Sequence, residues 1–133
     1  MAQYDDLTGK RVVICEDEGI TVMQLERALT RAGLVVVGKS GNGNDCVQVV
    51  LDQRPDIVLM DIVMPGQNGL ESTRQIMAEF PTCIVMLTAN SDDEHMEEAR
   101  NSGAAGYIPK PVTAEHLLPA LKQALQMFYE CHP

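Results

Sequence analysis

Three carboxylates, a hydroxyl and an ammonium stand where apolar runs of this chain end. Glu16 and Asp17 close the run Val12-Val13-Ile14-Cys15, and Asp61 closes Ile57-Val58-Leu59-Met60, with Pro65-Gly66 and Gly69 marking the turn beyond. Thr88-Ala89 ends a further run and Lys110-Pro111 the last. Packing gives little reason to place an ionisable group at the tip of a buried strand. In parallel strands these tips share one edge, where open α/β sheets bind ligands. Carboxylate oxygens converging there suit a hard divalent cation, and magnesium takes a few such oxygens while keeping several waters. A lysine adds a point charge for phosphate and a threonine hydroxyl adds a hydrogen bond. Together these groups could accept and hold a phosphoryl group.

Each residue also has a plainer reading. Asp61 could cap a turn, Lys110 could be a solvated surface cation, Thr88 could cap the segment after it, and Glu16-Asp17-Glu18 could be a solvated acidic turn. What favours a common site is their recurrence at the ends of successive apolar runs.

Short apolar runs alternating with amphipathic stretches predict βαβ units and a parallel sheet. The strands are expected at 11–15, 34–38, 56–60, 82–87 and 105–108, and their near-continuous apolar character suits coverage on both faces. Val22, Leu25, Leu29 and Ala32 repeat at helical spacing, and Gly33 is placed to end that helix. A second helix is expected from about Gly43 to Gln53, with Cys46, Val47, Val50 and Leu51 on one side and Pro55 forbidding its continuation. A third spans about Gly69 to Phe80. A fourth begins after Asn90-Ser91, with Ser91 as N-cap and Asp92, Asp93 and Glu94 favourable against the helix dipole, and ends near Gly103. A fifth follows Thr113 and buries Leu117, Leu118, Leu121 and Leu125, with Pro119 blurring its start.

At 133 residues the chain fits one domain able to bury its own core. The domain is expected over 11–129, with 1–10 as an N-terminal extension and 130–133 as a C-terminal tail. A net charge of −9 argues against direct binding of nucleic acid, whose phosphates are met by Lys and Arg. Cys15, Cys46, Cys83 and Cys131 form no closely spaced pair, so a zinc or redox framework is not expected. Cys15 and Cys83 read as buried small hydrophobes; Cys46 and Cys131 are left unplaced. The methionines read mostly as core filling. His95, His116 and His132 lack metal-ligand spacing and read as solvated or second-face residues. No apolar stretch reaches the length of a membrane span and no signal pattern opens the chain, so a cytoplasmic location is expected.

The order Glu16-Asp17, Asp61 with Met64-Pro65 and Gly69, Thr88-Ala89, then Lys110-Pro111 resembles the receiver domain of two-component response regulators. The resemblance covers the chain from about Arg11 into the last helix. It implies a flavodoxin-like (βα)5 doubly wound parallel sheet of strand order 2-1-3-4-5. It also implies that Asp61 is the phosphoacceptor for a phosphohistidine of a sensor histidine kinase or a histidine phosphotransfer protein. Glu16, Asp17, Asp61 and the Val63 backbone carbonyl would hold Mg²⁺. Lys110 would pair with Asp61 and then with the phosphoryl oxygens, while Thr88 and Tyr107 would act as the switch. A Lys110–Pro111 peptide in the cis form also belongs to this resemblance. The readout is expected on the surface of the fourth helix, fifth strand and fifth helix, toward an output domain, a partner protein or a second copy of the chain.

Glu16 stands where the family often has Asp and keeps an oxygen ligand. Val63 and Asn90 flank the expected path of attacking water, and an apolar Val63 cannot hold that water, which predicts slow hydrolysis of the phosphorylated form. Two rival readings are a Mg²⁺-dependent aspartyl phosphatase or phosphotransferase, and a degenerate receiver acting only as a binding module. The first expects a second acid at the Val63 position and a substrate cap; the second expects a lost acid, Thr or Lys. Whether the chain acts alone or as the receiver half of a transcription or RNA-binding regulator is left open, and Met127, Phe128 and Tyr129 could serve as core, dimer contact or linker.

Overall fold

The apolar runs form strands and the stretches between them form helices, in the order β1 (Arg11–Cys15), α1 (Gly19–Arg31), β2 (Val35–Ser40), α2 (Gly43–Gln53), β3 (Ile57–Asp61), α3 (Gly69–Glu79), β4 (Cys83–Thr88), α4 (Asp93–Asn101), β5 (Gly106–Pro109) and α5 (Ala114–Cys131). This computed structural model describes residues 7–89 and 93–132. All strand pairs are parallel, and the sheet order is β2-β1-β3-β4-β5.

Four strands lie one or two residues further along than hydrophobicity alone places them, because the backbone ladder does not stop where the side chains turn polar. Asp61 pairs with Leu87 and Thr88 with Pro109, so both are the last residues of their strands rather than the first residues beyond. β2 departs from the expectation of full coverage. It is one of the two edge strands, and Val35 is 49% exposed. The β1–β2 register slips between Val12 and Val13, skipping Val37 and setting Gly38 opposite Val13.

Side-chain alternation along each strand divides the core between the two faces of the sheet. Val12, Ile14, Ile57, Leu59, Val85 and Leu87 pack with Leu25 and Leu29 of α1 and Leu117, Leu121 and Leu125 of α5. Val13, Cys15, Val58, Met60, Ile84 and Met86 pack on the opposite face with Cys46 and Val50 of α2, Ile76 of α3 and Ala99 of α4. Leu7 is also buried, and Gly9 N–H bonds to the carbonyl of Gly33, so the segment before β1 is tied to the turn after α1.

Helix ends follow local chemistry. The Asn42 side chain accepts from the N–H groups of Asn44 and Asp45, and that of Asn68 from the N–H of Glu71. α2 stops at Arg54 in a left-handed conformation, just before Pro55. α5 starts at Ala114 and accommodates the exposed Pro119 within it. The expected Ser91 cap of α4 lies outside the described residues. Cys46 is fully buried and Cys131 exposed. Among the methionines, Met60, Met64 and Met86 are buried, but Met23 and Met127 project outward at 61% and 52% exposure, against the core reading. Phe128 and Tyr129 pack against the α1–α5 core cluster, and the Lys10 ammonium lies 5.8 Å from the Tyr129 ring centroid. Among the described residues no helix is long and apolar enough to cross a membrane.

Candidate functional site

β1, β3, β4 and β5 all end at the same rim, which brings residues far apart in sequence into one cleft of about 390 Å³. Glu16, Asp17, Asp61, Val63, Thr88 and Lys110 line it. Lys110 Nζ lies 2.9 Å from Glu16 Oε1 and 3.1 Å from Asp61 Oδ2. The carboxylate oxygens of Glu16, Asp17 and Asp61 fall within 4.8 Å of one another. Glu16 and Asp61 are buried, Asp17 is exposed, and the Lys110 side chain is 23% exposed. Such a cluster is electrostatically incomplete without positive charge, since like charges this close oppose each other's ionisation.

The backbone holds these side chains at the rim. Glu16 Oε2 accepts the Glu18 N–H at 3.1 Å, and Asp61 Oδ1 accepts the Val63 N–H at 3.3 Å. The Lys110 N–H donates to the Thr88 carbonyl at 2.8 Å, carrying the β4–β5 ladder to the cleft edge, and the Lys110–Pro111 peptide is cis. Glycines allow the close approaches. At Gly69 a Cβ would overlap the Asp61 carbonyl oxygen, and the Gly69 N–H instead closes the loop onto Ile62 O at 2.7 Å.

Burial pushes the Glu16 carboxyl up from its usual range; Lys110 opposes that rise and nearby Asp61 adds to it. For Lys110 burial pulls downward, but contacts with Glu16 and Asp61 outweigh it and hold the ammonium above its usual value. Lys110 is therefore a firmly charged cation between two acids. Contact with Glu16 is an ion pair without hydrogen-bond alignment, since Glu16 Oε1 has no directed donor. Cys15, which precedes this acid pair, meets Cys46 below the cleft; burial raises the Cys15 thiol, and the bond from Cys15 lowers that of Cys46.

The expected site residues do not all occupy the cleft in the same way. Val63 is 77% exposed at its mouth. Tyr107 sits half-buried on β5, opposite Met86, and lines a neighbouring recess with Pro109 and Lys110. Asn90, expected beside the water path, lies outside the described residues. His95 is the residue that sequence reasoning missed. Read as solvated or second-face, it is half-buried on α4 and lines the cleft with Asp61 and Lys110. Its place near the start of the helix after Thr88 was the available signal. A larger recess of about 750 Å³ between α1 and the start of α5 is mostly apolar and carries arginines but no carboxylate, so the acidic cluster that could hold a cation lies in the smaller cleft.

Five parallel strands in this order, with acids and a lysine at their C-terminal rim, define a flavodoxin-like receiver fold. The chain matches the response regulator receiver domain model over residues 12–122 and belongs to that family, the receivers of two-component systems. It is 36% identical over 126 residues to the transcriptional regulatory protein PdtaR of Mycobacterium tuberculosis, a match covering 95% of this chain and 62% of PdtaR. It thus spans less than two thirds of that relative's length. Chemotaxis protein CheY of Thermotoga maritima is 35% identical over 116 residues, covering 86% of this chain and 97% of CheY. The signal receiver domain of the response regulator NarL from Mycobacterium tuberculosis superposes with a TM-score of 0.83 at 26% identity, covering 90% of this chain and 98% of that domain.

Proposed function

We propose that residues 11–129 form a phospho-accepting receiver in which Asp61 takes a phosphoryl group from a sensor histidine kinase or a histidine phosphotransfer protein, with 1–10 and 130–133 as flanking extensions. The observation that carries this reading is the Lys110 ammonium between Glu16 and the strand-end Asp61. A carboxylate oxygen of Asp61 bonds to phosphorus as the phosphorus–nitrogen bond of the donor breaks, and that electron pair leaves with the imidazole. Phosphoryl transfer asks mainly for positioning and charge stabilisation, which Lys110 supplies by turning from Asp61 to the phosphoryl oxygens.

The donor set suits Mg²⁺, because it is all hard oxygen and close enough to share one ion. Asp17 and Asp61 would hold it, with Glu16 acting directly or through water and Val63 offering its carbonyl. When bound, the ion neutralises charge developing on the phosphoryl oxygens.

Phosphorylation replaces the single negative charge of the Asp61 carboxylate with about two on the phosphoryl group. Thr88 then donates to the phosphoryl group, and half-buried Tyr107 changes rotamer with it. Contacts present in only one state are what shift a two-state equilibrium. The readout face is α4–β5–α5, directed at an output domain, a partner protein or a second copy of the chain. This domain acts as a switch that catalyses only its own phosphoryl chemistry, inside the cell and without itself contacting nucleic acid or membrane.

Incubation with acetyl phosphate and Mg²⁺, read by intact mass, is expected to add one phosphoryl group to the wild type and none to Asp61→Asn. A gain of equal size in both proteins would reject Asp61 as the acceptor.

A further inference from the structure

The segment joining β2 to α2 supplies no carboxylate to the cleft, yet it touches both acidic arms. On one side the Ser40 carbonyl accepts the Glu16 N–H at 2.9 Å, and a Cβ on Gly41 would lie 3.1 Å from Asp17 Cα. On the other side the Gly43 N–H donates to the Pro65 carbonyl at 3.1 Å, in the loop that follows Asp61 and carries Val63. Gly43 packs so closely on this loop that a Cβ there would overlap the Gln67 carbonyl oxygen. Residues 40–43 therefore set the spacing between Glu16-Asp17 and the Asp61–Val63 loop.

Backbone contacts make most of this bridge, and one buried side chain locks it. Ser72, in the first turn of α3 and fully buried, donates from Oγ to the Gly43 carbonyl at 2.9 Å. Its neighbour Thr73 is equally buried but turns its hydroxyl to the Met86 sulfur, 3.5 Å away and on no path to the loop. The two adjacent hydroxyls thus have the same environment and different attachments.

We propose that Ser72 is a positioning residue for the cation site, acting through Gly43 to fix the distance between the two acidic arms. The inference rests on the reading of the cleft as a Mg²⁺ site. Outer partners of metal ligands matter because they hold the ligands in place before the ion arrives.

The test is calorimetric titration of Mg²⁺ into the unphosphorylated full chain, comparing Ser72→Ala with Thr73→Val. Loss of the Ser72 hydroxyl is expected to weaken Mg²⁺ binding about tenfold, at the mild end of outer-partner effects, while Thr73→Val stays within about twofold of wild type. Saturating Mg²⁺ should restore the acetyl phosphate reaction of Ser72→Ala to near the wild-type rate, which a generally loosened fold would not allow. Ser72→Cys, with a weaker donor of similar shape, should fall between the two and serves if the alanine variant does not fold. Equal shifts in the Ser72 and Thr73 variants, or no shift in either, would overturn the inference while leaving the cation site standing. A wild type that binds no Mg²⁺ would overturn both.

Discussion

Lys110 shows how a single residue sets the character of the cleft. Its ammonium is what makes a buried Glu16 beside Asp61 tolerable. Lys110→Met leaves those acids facing each other and is expected to cost about 2 kcal/mol at neutral pH, below the full penalty for breaking a buried pair because the lysine is partly exposed. Burial already holds the Glu16 carboxyl high, with Asp61 adding to the rise and Lys110 restraining it. Without the lysine it rises further. An acid raised in the fold contributes stability that is full below its unfolded value, about 4.3 for Glu, and lost as pH rises through the folded value. The deficit of Lys110→Met should therefore be small near pH 4 and grow toward pH 7. Urea unfolding at both pH values checks this, and a pH-independent deficit would refute it. Val63 bears on lifetime instead. Too exposed to support the fold, it also lacks a group to orient water, so the phosphorylated form should decay over minutes or longer. Val63→Asn should speed phosphate release about tenfold, with stability changed by less than about 0.5 kcal/mol. Wild-type decay within seconds would remove the explanation.

At the level of elements, glycine matters where two backbones meet. Gly69 opens α3 directly against the carbonyl of Asp61, whereas Gly19 opens α1 with nothing within 4 Å of an added Cβ. Gly69→Ala is expected to destabilise the fold by about 2–3 kcal/mol and to displace Asp61, while Gly19→Ala should be neutral or slightly stabilising. Denaturant midpoints of the pair, with acetyl phosphate uptake, separate the cases; equal midpoints would sink the argument. The strands supply a second contrast. Cys83 opens β4 in full burial, and that burial pushes its thiol up to about 12. Stability held by the neutral thiol is full below the free thiol's value, about 8.5, and is lost as pH rises through the folded one. A thiol reagent near pH 8 should thus find Cys131 quickly in the native protein and reach Cys15, Cys46 and Cys83 only on unfolding. Prompt native labelling of Cys83 would contradict its placement.

Across the whole molecule, the net charge of −9 is concentrated in part at the rim, where a bound cation would relieve it. Mg²⁺ at about a hundred times its dissociation constant should stabilise the fold by about 2.7 kcal/mol, provided the unfolded chain does not bind it. Removing it with EDTA should lower the melting temperature of the wild type and leave Asp17→Asn nearly unchanged. Identical melts of wild type with and without Mg²⁺ would count against the site. The two faces of the sheet carry different tasks. α1 and α5 close one face, whereas α2, α3 and the loop after Asp61 on the other are bound to one another beside the cleft. Rigidity around the acids therefore comes in part from α2 and α3, which contribute no side chain to the acidic cluster.

The chain by itself determined the number, kind and order of its elements, because hydrophobic period and turn chemistry are local. It also brought Glu16, Asp17, Asp61, Thr88 and Lys110 to the ends of strands, since each follows an apolar run whose direction is fixed by parallel pairing. Boundaries drifted at Asp61 and Thr88, where ladder bonds continue beneath polar side chains that periodicity counts as an end. Tertiary structure alone decided the rest. Lys110 meets Glu16 across 94 residues because β1 and β5 end at one rim, and their separation there depends on how β3 and β4 pack between them. The meeting of Cys15 with Cys46 and the reach of Ser72 to Gly43 likewise leave no spacing signal. Local sequence fixes where a side chain leaves the backbone; packing between distant elements fixes what it meets.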